Sequence, residues 1–578
     1  MSHRAHLFSL RFAHAMRESL AEGYCGAKLA KDVMAGCVVG VIAIPLAMAL
    51  AIGCGVAPQY GLYSAIIGGF VIALMGGSRF SISGPTAAFI VILHPLVAEH
   101  GLAGLLVASV MAGVLLVIMA YARVGRFIEY IPEPVTLGFT GGIAIVIATL
   151  QIPDFFGLSI PLMPEQYPQK LGVIAIHISS IDIGSFSVAA FTLAFMLLWP
   201  KLKTPVPGHL PAVILASVIA VLLSQKGFEI ATIGSRFEYL LDDGSTGFGI
   251  PPVLPHFEWP WLRDGTGGER FILSWAKIID LAPSAFAIAM LAAIESLLCA
   301  VVLDGMSGKR HSANSELLAQ GVGNIIAPFF GGITSTAAIA RSAASFKAGA
   351  QSPIAAMVHA CVVLLALVAL ASLLKYLPMP ALAAMLVVVA WNMSEAAKSV
   401  HLIRTAPRGD IAVFITCMGL TVWLDMVIAI TVGVLLAAVL FVREIASMTQ
   451  LTDITKNKKM VTQVMPPNWK VLRVKGPLFF AAADRVFSEI NEQLQQADGV
   501  VLYLEAVPIL DAGGLAALSR LITEHANSGK KIFFTEWQFQ PLKSLAKAGV
   551  KPIDSAIRFF PTLDDALDHV LLYSDVNK

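Results

Sequence analysis

The feature that constrains this chain most is a series of apolar segments, nearly free of charge, that recurs from Val33 to Val442. Each is about 20 residues long, which is the helix length needed to span the roughly 30 Å hydrocarbon core of a bilayer. Only 13% of the residues are charged and 57% are hydrophobic, whereas soluble domains have about 25% charged residues. The sequence therefore predicts a polytopic α-helical protein surrounded by membrane lipid.

Fourteen apolar segments can be counted, and they predict fourteen transmembrane spans. They lie near residues 33–52, 59–76, 85–98, 101–122, 130–150, 186–200, 209–225, 277–302, 316–331, 337–347, 353–374, 380–393, 410–429 and 431–443. Positive residues fall in alternate short connections, namely Arg79, Arg123, Arg126, Lys201, Lys203, Lys309, Arg310, Lys347, Lys398, Arg404 and Arg408. The positive-inside rule then places both termini in the cytoplasm, with residues 1–32 as an N-terminal tail.

Two of these segments, residues 85–98 and 337–347, are too short to cross the bilayer. As helices with a rise of 1.5 Å per residue they reach only about 16 to 21 Å. Each follows a Gly-Gly pair, at positions 76–77 and 331–332, and a short polar stretch. Irregular backbone at membrane depth is tolerated only where it is buried in protein or lines a cavity. The segments are therefore predicted to be half-helices that begin at a cavity, with simple re-entrant loops as the alternative.

The two half-helices occupy the third and the tenth positions, which divides the spans into two halves of seven. The halves cover residues 33–225 and 277–445, with a periplasmic connection at 226–276, and an odd number of spans makes the repeat inverted. Paired interrupted helices in such a repeat mark a transporter's substrate site. Helix N-termini offer free N–H donors and a positive dipole end. The sequence thus predicts a secondary transporter of a small anion.

Residues 460–578 have the composition of a soluble cytoplasmic domain. Strand and helix patterns alternate there, which predicts a small α/β domain with a mostly parallel sheet. The domain contains no Gly-rich phosphate loop and no nucleophile motif, so a regulatory role with an unidentified cytoplasmic partner is expected rather than catalysis. We predict no enzymatic activity, cofactor or metal for the chain, and its net charge of +2 does not suggest nucleic acid as a partner.

Several motifs resemble one transporter family. They are AIPLAMALAIGCGVAPQYGLY at 43–63, SISGPTAAF at 81–89, LDGMSGKRHSANSELLAQGVGN at 303–324, GGITSTAAIARSA at 331–343 and, in the tail, VPILDAGGLAAL at 507–518. The first four are similar to the SulP/SLC26 anion transporters, and the last to the STAS domain that follows them. The resemblance implies a core domain that moves like an elevator against a gate domain, a homodimer, and location in the bacterial inner membrane.

Within that family the sequence is most similar to bacterial importers of C4-dicarboxylates such as succinate, fumarate and aspartate. This resemblance implies dicarboxylate uptake, with proton symport. Sulfate transport and sodium-coupled bicarbonate transport are alternatives within the same fold. An anion channel, or a membrane sensor that reports through its STAS domain, is an alternative of another class.

The resemblance assigns substrate binding to the entrances of the two half-helices. The residues are Ser83, Gly84, Pro85, Thr86, Ile339, Ala340, Arg341 and Ser342. Ala340 stands where vertebrate members have serine, so backbone N–H groups are expected to bind there. Arg341 would supply positive charge, since arginine inside an apolar span marks a functional site by default. The alternatives are N-capping for the first entrance and snorkelling toward the cytoplasm for Arg341.

Glu295 is the only acidic residue between Leu281 and Leu303, and we predict that it couples proton entry to anion entry. A structural hydrogen bond is the alternative. His94 is a second candidate proton carrier, although a lone histidine on an apolar face is more often a core residue. Asp304, Asn314 and Glu316 are expected to order the entry to the ninth span.

Asp511 lies in the STAS motif. In regulatory STAS proteins a phosphorylated serine follows this aspartate, but Ala512 and Gly513 occupy those positions here. Switching by phosphorylation at this site is not expected.

Overall fold

The computed structural model describes residues 10–126, 131–160, 163–164, 166–202, 208–240, 246–424, 426–525, 528–553 and 556–576. The chain forms two compact units, with the boundary between Val434 and Leu435. Within the described residues, nine helices are long and apolar enough to cross a membrane. The fold is therefore that of a polytopic helical membrane protein with a second unit at its C-terminus, while the count of fourteen spans stays a prediction.

The helices and short strands up to residue 448 follow one another in chain order, and the last of these helices contains the boundary between the two units. The helices are α1 His14–Ala21, α2 Gly26–Gly53, α3 Pro58–Tyr63, α4 Gly69–Met75, α5 Ile90–Tyr121, α6 Glu133–Phe156, α7 Tyr167–His177, α8 Ile183–Leu198, α9 His209–Ser224, α10 Ile233–Arg236, α11 Trp275–Ser307, α12 Ala313–Ile326, α13 Ile339–Lys347, α14 Ile354–Leu374, α15 Met379–Met393, α16 Ala396–Thr405, α17 Arg408–Trp423 and α18 Met426–Met448. The strands are β1 Ser83–Gly84, β2 Glu238–Leu240, β3 Thr246–Phe248 and β4 Thr336–Ala337. A π-helical segment, Ser64–Gly68, joins α3 to α4, and a 3₁₀ turn, Ala87–Phe89, leads into α5.

The long helices of this unit form two bundles. The first bundle contains α2, α4, α5, α11, α12, α13 and α14, and the second contains α6, α8, α9, α15 and α17. Small residues allow close packing in the first bundle: a Cβ atom at Gly36 of α2 would lie 2.6 Å from the carbonyl oxygen of Ala355 on α14. The two bundles agree with the expected core and gate, and both half-helices belong to the core bundle.

The third and fourth predicted segments are continuous in the structure, as α5. Gly101 interrupts this helix with φ 68° and ψ −169°, a conformation that favours glycine. A Cβ atom there would lie 2.2 Å from the carbonyl carbon of Gly265. The first half-helix thus runs from Ala87 to the break at Gly101, and the next span begins directly after it.

Four helices of the first unit, α1, α7, α10 and α16, were not predicted. They lie in stretches assigned to the N-terminal tail or to connections, at 1–32, 151–185, 226–276 and between the twelfth and thirteenth apolar segments. They are short and carry polar residues, among them Lys170 on α7 and Lys398 on α16. A hydropathy pattern that detects spans does not distinguish such helices from loops.

The second unit is a five-stranded sheet covered by helices. Its elements are β5 Gln450–Asp453, β6 Trp469–Lys475, α19 Ala483–Gln495, β7 Gly499–Ala506, α20 Ala512–His525, β8 Lys531–Thr535, α21 Phe539–Lys547, β9 Ile557–Phe560 and α22 Leu563–Val576. The strand order is β5-β6-β7-β8-β9, in which β5 is antiparallel and the remaining neighbours are parallel. This confirms the predicted α/β domain, although β5 begins upstream of residue 460, and β9 and α22 were not predicted.

Alternation along the central strand explains the two layers of this domain. On β7, Val500 and Leu502 are buried in one cluster with residues of α19, α20 and α21. Val501 and Tyr503, between and after them, are buried in a second cluster with Leu567 of α22. Because successive side chains point to opposite faces of a strand, one sheet supports helices on both sides.

Candidate functional site

The entrances of the two half-helices meet at a short antiparallel strand pair. Ser83 pairs with Ala337 and Gly84 pairs with Thr336, and all four residues are buried. The side-chain hydroxyl of Thr336 also donates to the carbonyl oxygen of Ala292 on α11, at 3.1 Å. Two segments more than 250 positions apart in sequence are thereby held together inside the core bundle.

Arg341, on the first turn of α13, crosses from the second half-helix to the entrance of the first. Its side chain is only 4% exposed, and Nη2 donates to the carbonyl oxygen of Pro85 at 2.6 Å. Nε and Nη1 have no hydrogen-bond partner within the part of the chain that the structure describes. A Cβ atom at Gly84 would lie 2.9 Å from Nη1, so the glycine leaves this nitrogen its space. Arg341 therefore does not snorkel toward the cytoplasm.

Glu295, on α11, approaches the same entrance from another side. Its Oε2 atom accepts a hydrogen bond from the Thr86 hydroxyl at 2.8 Å, and its side chain is only partly buried. Its partner Thr86 directly follows Pro85, whose carbonyl oxygen accepts from Arg341. One positive and one negative side chain thus converge on Pro85 and Thr86, where the first half-helix begins.

At the start of α13, backbone N–H groups lack an acceptor in the part of the chain that the structure describes. The first helical bond runs from the N–H of Ser342 to the carbonyl oxygen of Ala338, at 2.9 Å. The preceding N–H groups, from Ile339 to Arg341, have no acceptor within the helix. Ile339 is 40% exposed and Ala340 is exposed too, so an anion can reach this end of the helix.

The two serines of the predicted set are bonded to protein atoms. The Ser342 hydroxyl accepts from the backbone N–H of Ile82 at 2.9 Å, and the Cys299 thiol lies 3.4 Å from it. The Ser83 hydroxyl accepts from Gln320 at 3.2 Å. Both serines are buried, so these hydroxyls stabilise the crossing, and direct binding of substrate by them stays a prediction.

The other residues singled out in the sequence lie in separate places. Asp304 accepts hydrogen bonds from the backbone and from the ring of His311, at 3.2 and 2.9 Å. Asn314 accepts from the N–H of Gly125 at 3.2 Å. His94, on the first half-helix, has its ring Nδ1 close to Gly55, and no hydrogen bond joins it to Glu295 in the described chain. In the STAS domain, Asp511 accepts from the N–H of Gly514 at 2.8 Å and so caps α20.

Three residues of α12 contribute to the crossing in a way that the sequence did not reveal. Glu316 was expected only to order the start of its own span, and Gln320 and Asn324 were not selected. All three bond to the entrances of the half-helices. The available signal was their spacing of four residues, which places them on one face of the helix.

One group of metal-ligand type occurs among the described residues, formed by Glu99, His100 and Asp280. Lys277 lies in the same group, with its Nζ atom 3.4 Å from His100 Nδ1 and 3.6 Å from an Asp280 oxygen. The ammonium already supplies positive charge there, so this group is an ion-pair network.

A membrane-embedded helical core in which two interrupted helices cross, followed by a separate α/β domain, defines the class of the protein as a polytopic transporter. The chain belongs to the sulfate permease family, whose model matches residues 29–417. A STAS domain matches residues 459–566.

Several known proteins are similar over nearly their whole length. YvdB of Bacillus subtilis (strain 168), a candidate sulfate transporter, is 36% identical over 530 residues, which cover 92% of this chain and 95% of the relative. The bicarbonate transporter BicA of Picosynechococcus sp. is 26% identical over 545 residues, 89% of this chain and 90% of the relative. The structure of the murine anion transporter Slc26a9 superposes with a TM-score of 0.81, with 18% identity and coverage of 100% of this chain and 95% of that one. The last similarity concerns the fold alone.

Proposed function

We propose that the protein is a secondary transporter of a small inorganic oxyanion, with sulfate as the leading candidate, and that the anion binds between the start of α13 and the entrance of the first half-helix. The observation that carries the proposal is Arg341, a buried guanidinium at the point where the half-helices meet, with two nitrogens that have no hydrogen-bond partner among the described residues. The expected specificity for C4-dicarboxylates is less well supported, because the relatives are named as sulfate or bicarbonate transporters.

The charges of the site favour an anion. A buried guanidinium without enough partners is costly, and an oxyanion offers acceptors in the fork geometry that arginine prefers. The free N–H groups at the start of α13 add donors and a positive dipole end. Glu295 opposes anion binding as long as its carboxylate is ionised, because it then competes for the Arg341 charge.

This competition suggests how a proton is coupled to the anion. When Glu295 is protonated, its negative charge disappears and Arg341 is left for the substrate, while a neutral carboxyl can still bond to the Thr86 hydroxyl. Anion and proton would then enter together. Glu295 is accordingly proposed as the proton-coupling residue, and an elevator movement of the core bundle against the gate bundle is proposed to carry the loaded site across.

Bicarbonate is the second candidate substrate, favoured by the similarity to BicA over 89% of this chain. A monovalent anion brings less negative charge next to Glu295, so its transport would not require neutralisation of that carboxylate. Bicarbonate transport is therefore expected to be less sensitive to an imposed proton gradient than sulfate transport.

Transport assays on purified protein distinguish these candidates. Proteoliposomes would be supplied with labelled sulfate, bicarbonate or succinate, with an inward proton gradient, with an inward sodium gradient, or with neither. We expect accumulation of sulfate, stimulated by the proton gradient in the wild type but not in Glu295→Gln. Accumulation of succinate without sulfate would restore the dicarboxylate interpretation, and transport of none of the three would contradict the proposed function.

Three further features of the protein are proposed together with this function. They are a homodimeric assembly, a cytoplasmic location of both termini, and a cytoplasmic partner that binds the STAS domain. Cysteine-accessibility mapping tests the orientation, and mass photometry in detergent tests the assembly.

A further inference from the structure

One face of α12 holds both half-helix entrances through three buried polar side chains. Glu316, Gln320 and Asn324 are 1%, 0% and 1% exposed, and their spacing of four residues stacks them along the helix. We refer to these three residues as the α12 ladder. We propose that the α12 ladder sets the relative position of the two half-helix N-termini and thereby the size of the anion that the site accepts. This inference rests on the proposed anion site.

The N-terminal two residues of the α12 ladder, Glu316 and Gln320, fix the approach to the first half-helix. Oε2 of Glu316 accepts from the backbone N–H groups of Gly77 and Ser78, at 2.9 and 3.0 Å. Its Oε1 atom accepts from the side-chain amide of Gln320 at 3.2 Å. The same amide nitrogen donates to the hydroxyl of Ser83 at 3.2 Å. A continuous chain of hydrogen bonds therefore leads from the Gly-Gly turn to strand β1.

The C-terminal residue of the α12 ladder, Asn324, fixes the approach to the second half-helix. Oδ1 of Asn324 accepts from the backbone N–H of Ser335 at 2.8 Å, and Nδ2 donates to the carbonyl oxygen of Ser335, also at 2.8 Å. The amide thus pairs with this residue as a neighbouring strand would. Nδ2 also donates to the carbonyl oxygen of Gln320 at 2.8 Å. Ser335 directly precedes strand β4, so its position determines where β4 meets β1.

The helix that carries the α12 ladder is itself fixed to the core. A Cβ atom at Gly321 of α12 would lie 2.8 Å from the carbonyl oxygen of Gly113 on α5. A Cβ atom at Gly113 would lie 2.7 Å from the carbonyl oxygen of Gly321. The two backbones are therefore in direct contact, and α5 is the helix that continues from the first half-helix. A shift of either entrance relative to α12 would break ladder bonds without moving the helix.

None of the three residues is assigned a contact with the anion, so they act as positioning residues. Loss of their bonds would let the gap between Pro85 and Arg341 change by a fraction of an ångström. A uniform loss of folded protein lowers transport of all anions equally, whereas a change in the gap alters the ranking of anions by size. Sulfate, selenate and molybdate are tetrahedral dianions of increasing size, and their ranking is therefore the readout.

The test compares nearly isosteric variants in proteoliposomes. Asn324→Leu removes both bonds to Ser335, and Gln320→Met removes the bonds to Glu316 and Ser83. Ser315→Ala is the matched control, since Ser315 lies on the same helix and is buried but bonds to Ser312 and to the backbone of Arg11. Unlabelled selenate and molybdate would compete with labelled sulfate. The measured quantities are the KM for sulfate and the inhibition constants of the two competitors.

The readout is the ratio of the inhibition constant of molybdate to the KM for sulfate. We expect this ratio to change at least fivefold in Asn324→Leu or Gln320→Met, and to stay within twofold of the wild type in Ser315→Ala. If the folded ladder variants lower the maximal rate but keep the ratio, the α12 ladder is merely structural and the inference is wrong. If both variants fail to fold, Asn324→Asp, which turns an oxygen toward two carbonyls, is measured by the same criterion.

Failure of the proposed function gives a different result. In that case the wild type would transport no oxyanion, or Arg341→Gln would transport as the wild type does. A wild type that transports sulfate, an Arg341→Gln variant that does not, and unchanged ratios in the ladder variants would contradict the α12 ladder alone.

Discussion

Replacing Arg341 with glutamine removes the positive charge at the crossing of the half-helices and leaves a shorter polar side chain. In the structure the guanidinium makes one bond, to the carbonyl oxygen of Pro85 at 2.6 Å, and keeps two nitrogens unbonded among the described residues. A hydrogen bond to a charged group contributes about 1.5 to 3 kcal/mol, and glutamine can replace only part of this. We expect a loss of about 2 to 4 kcal/mol in anion binding, which raises KM by roughly 30-fold to 700-fold, at about 1.4 kcal/mol per factor of ten.

The assay is uptake of labelled sulfate into proteoliposomes across a wide range of concentrations, with equal amounts of reconstituted protein. Arg341→Lys serves as the matched control, because lysine keeps the charge but lacks the planar fork. Its KM should rise by about tenfold, between the wild type and Arg341→Gln. If folded Arg341→Gln has a KM within threefold of the wild type, the guanidinium does not face the anion and the electrostatic argument is wrong.

Three further predictions concern stability, each measured by thermal unfolding of purified protein. The Arg79 guanidinium, through its hydrogen bond, lowers the pKa of Glu22 to about 2 against the opposing effect of burial. This pair therefore stabilises the folded state above about pH 4.5 and is lost as the pH falls toward 2. Because the Glu22 side chain is 42% exposed, solvent screening limits the effect to on the order of 1 kcal/mol. The stability deficit of Glu22→Gln relative to the wild type, present at pH 7, should therefore shrink as the pH is lowered from 5 to 3. A deficit independent of pH would refute this. Asp32 is buried and accepts four hydrogen bonds, from Tyr24, Gln351 and twice from Ser352, so Asp32→Leu should cost about 3 kcal/mol or more, and a neutral result would contradict the bonding. Gly61→Ala places a Cβ atom 2.0 Å from the carbonyl oxygen of Ala47 and should cost about 1 to 3 kcal/mol, whereas Gly419→Ala, with open space around it, should not destabilise the protein.

The sequence located the crossing of the half-helices because length and charge are strong signals in a membrane segment. Residues 85–98 and 337–347 were too short to span, and Arg341 and Glu295 were the charges that an apolar environment tolerates least. The structure brings all of these to one place, although the first half-helix continues directly into the next span through Gly101.

The roles of Gln320 and Asn324 could not be predicted in the same way. Neutral polar side chains in a membrane helix are compatible with many partners, and here the partner of Gln320 lies 237 positions away in sequence. Only the three-dimensional pairing of β1 with β4 shows what they hold. Similarly, α7 and β5 carry too weak a pattern to be separated from the connections around them. The expected preference for dicarboxylates stays a prediction, because one fold serves transporters of different anions.

The most direct test of the central claim is to locate the bound anion. Crystals of the protein, including crystals grown in a lipidic phase, would be soaked in selenate. X-ray diffraction at the selenium absorption edge then identifies the anion by its anomalous scattering, without reference to its shape. We expect an anomalous peak within hydrogen-bonding distance of Arg341 and of the N–H groups at the start of α13, and its loss in Arg341→Gln. A selenate that binds elsewhere, while the wild-type protein transports it, would contradict the assignment of this crossing as the substrate site.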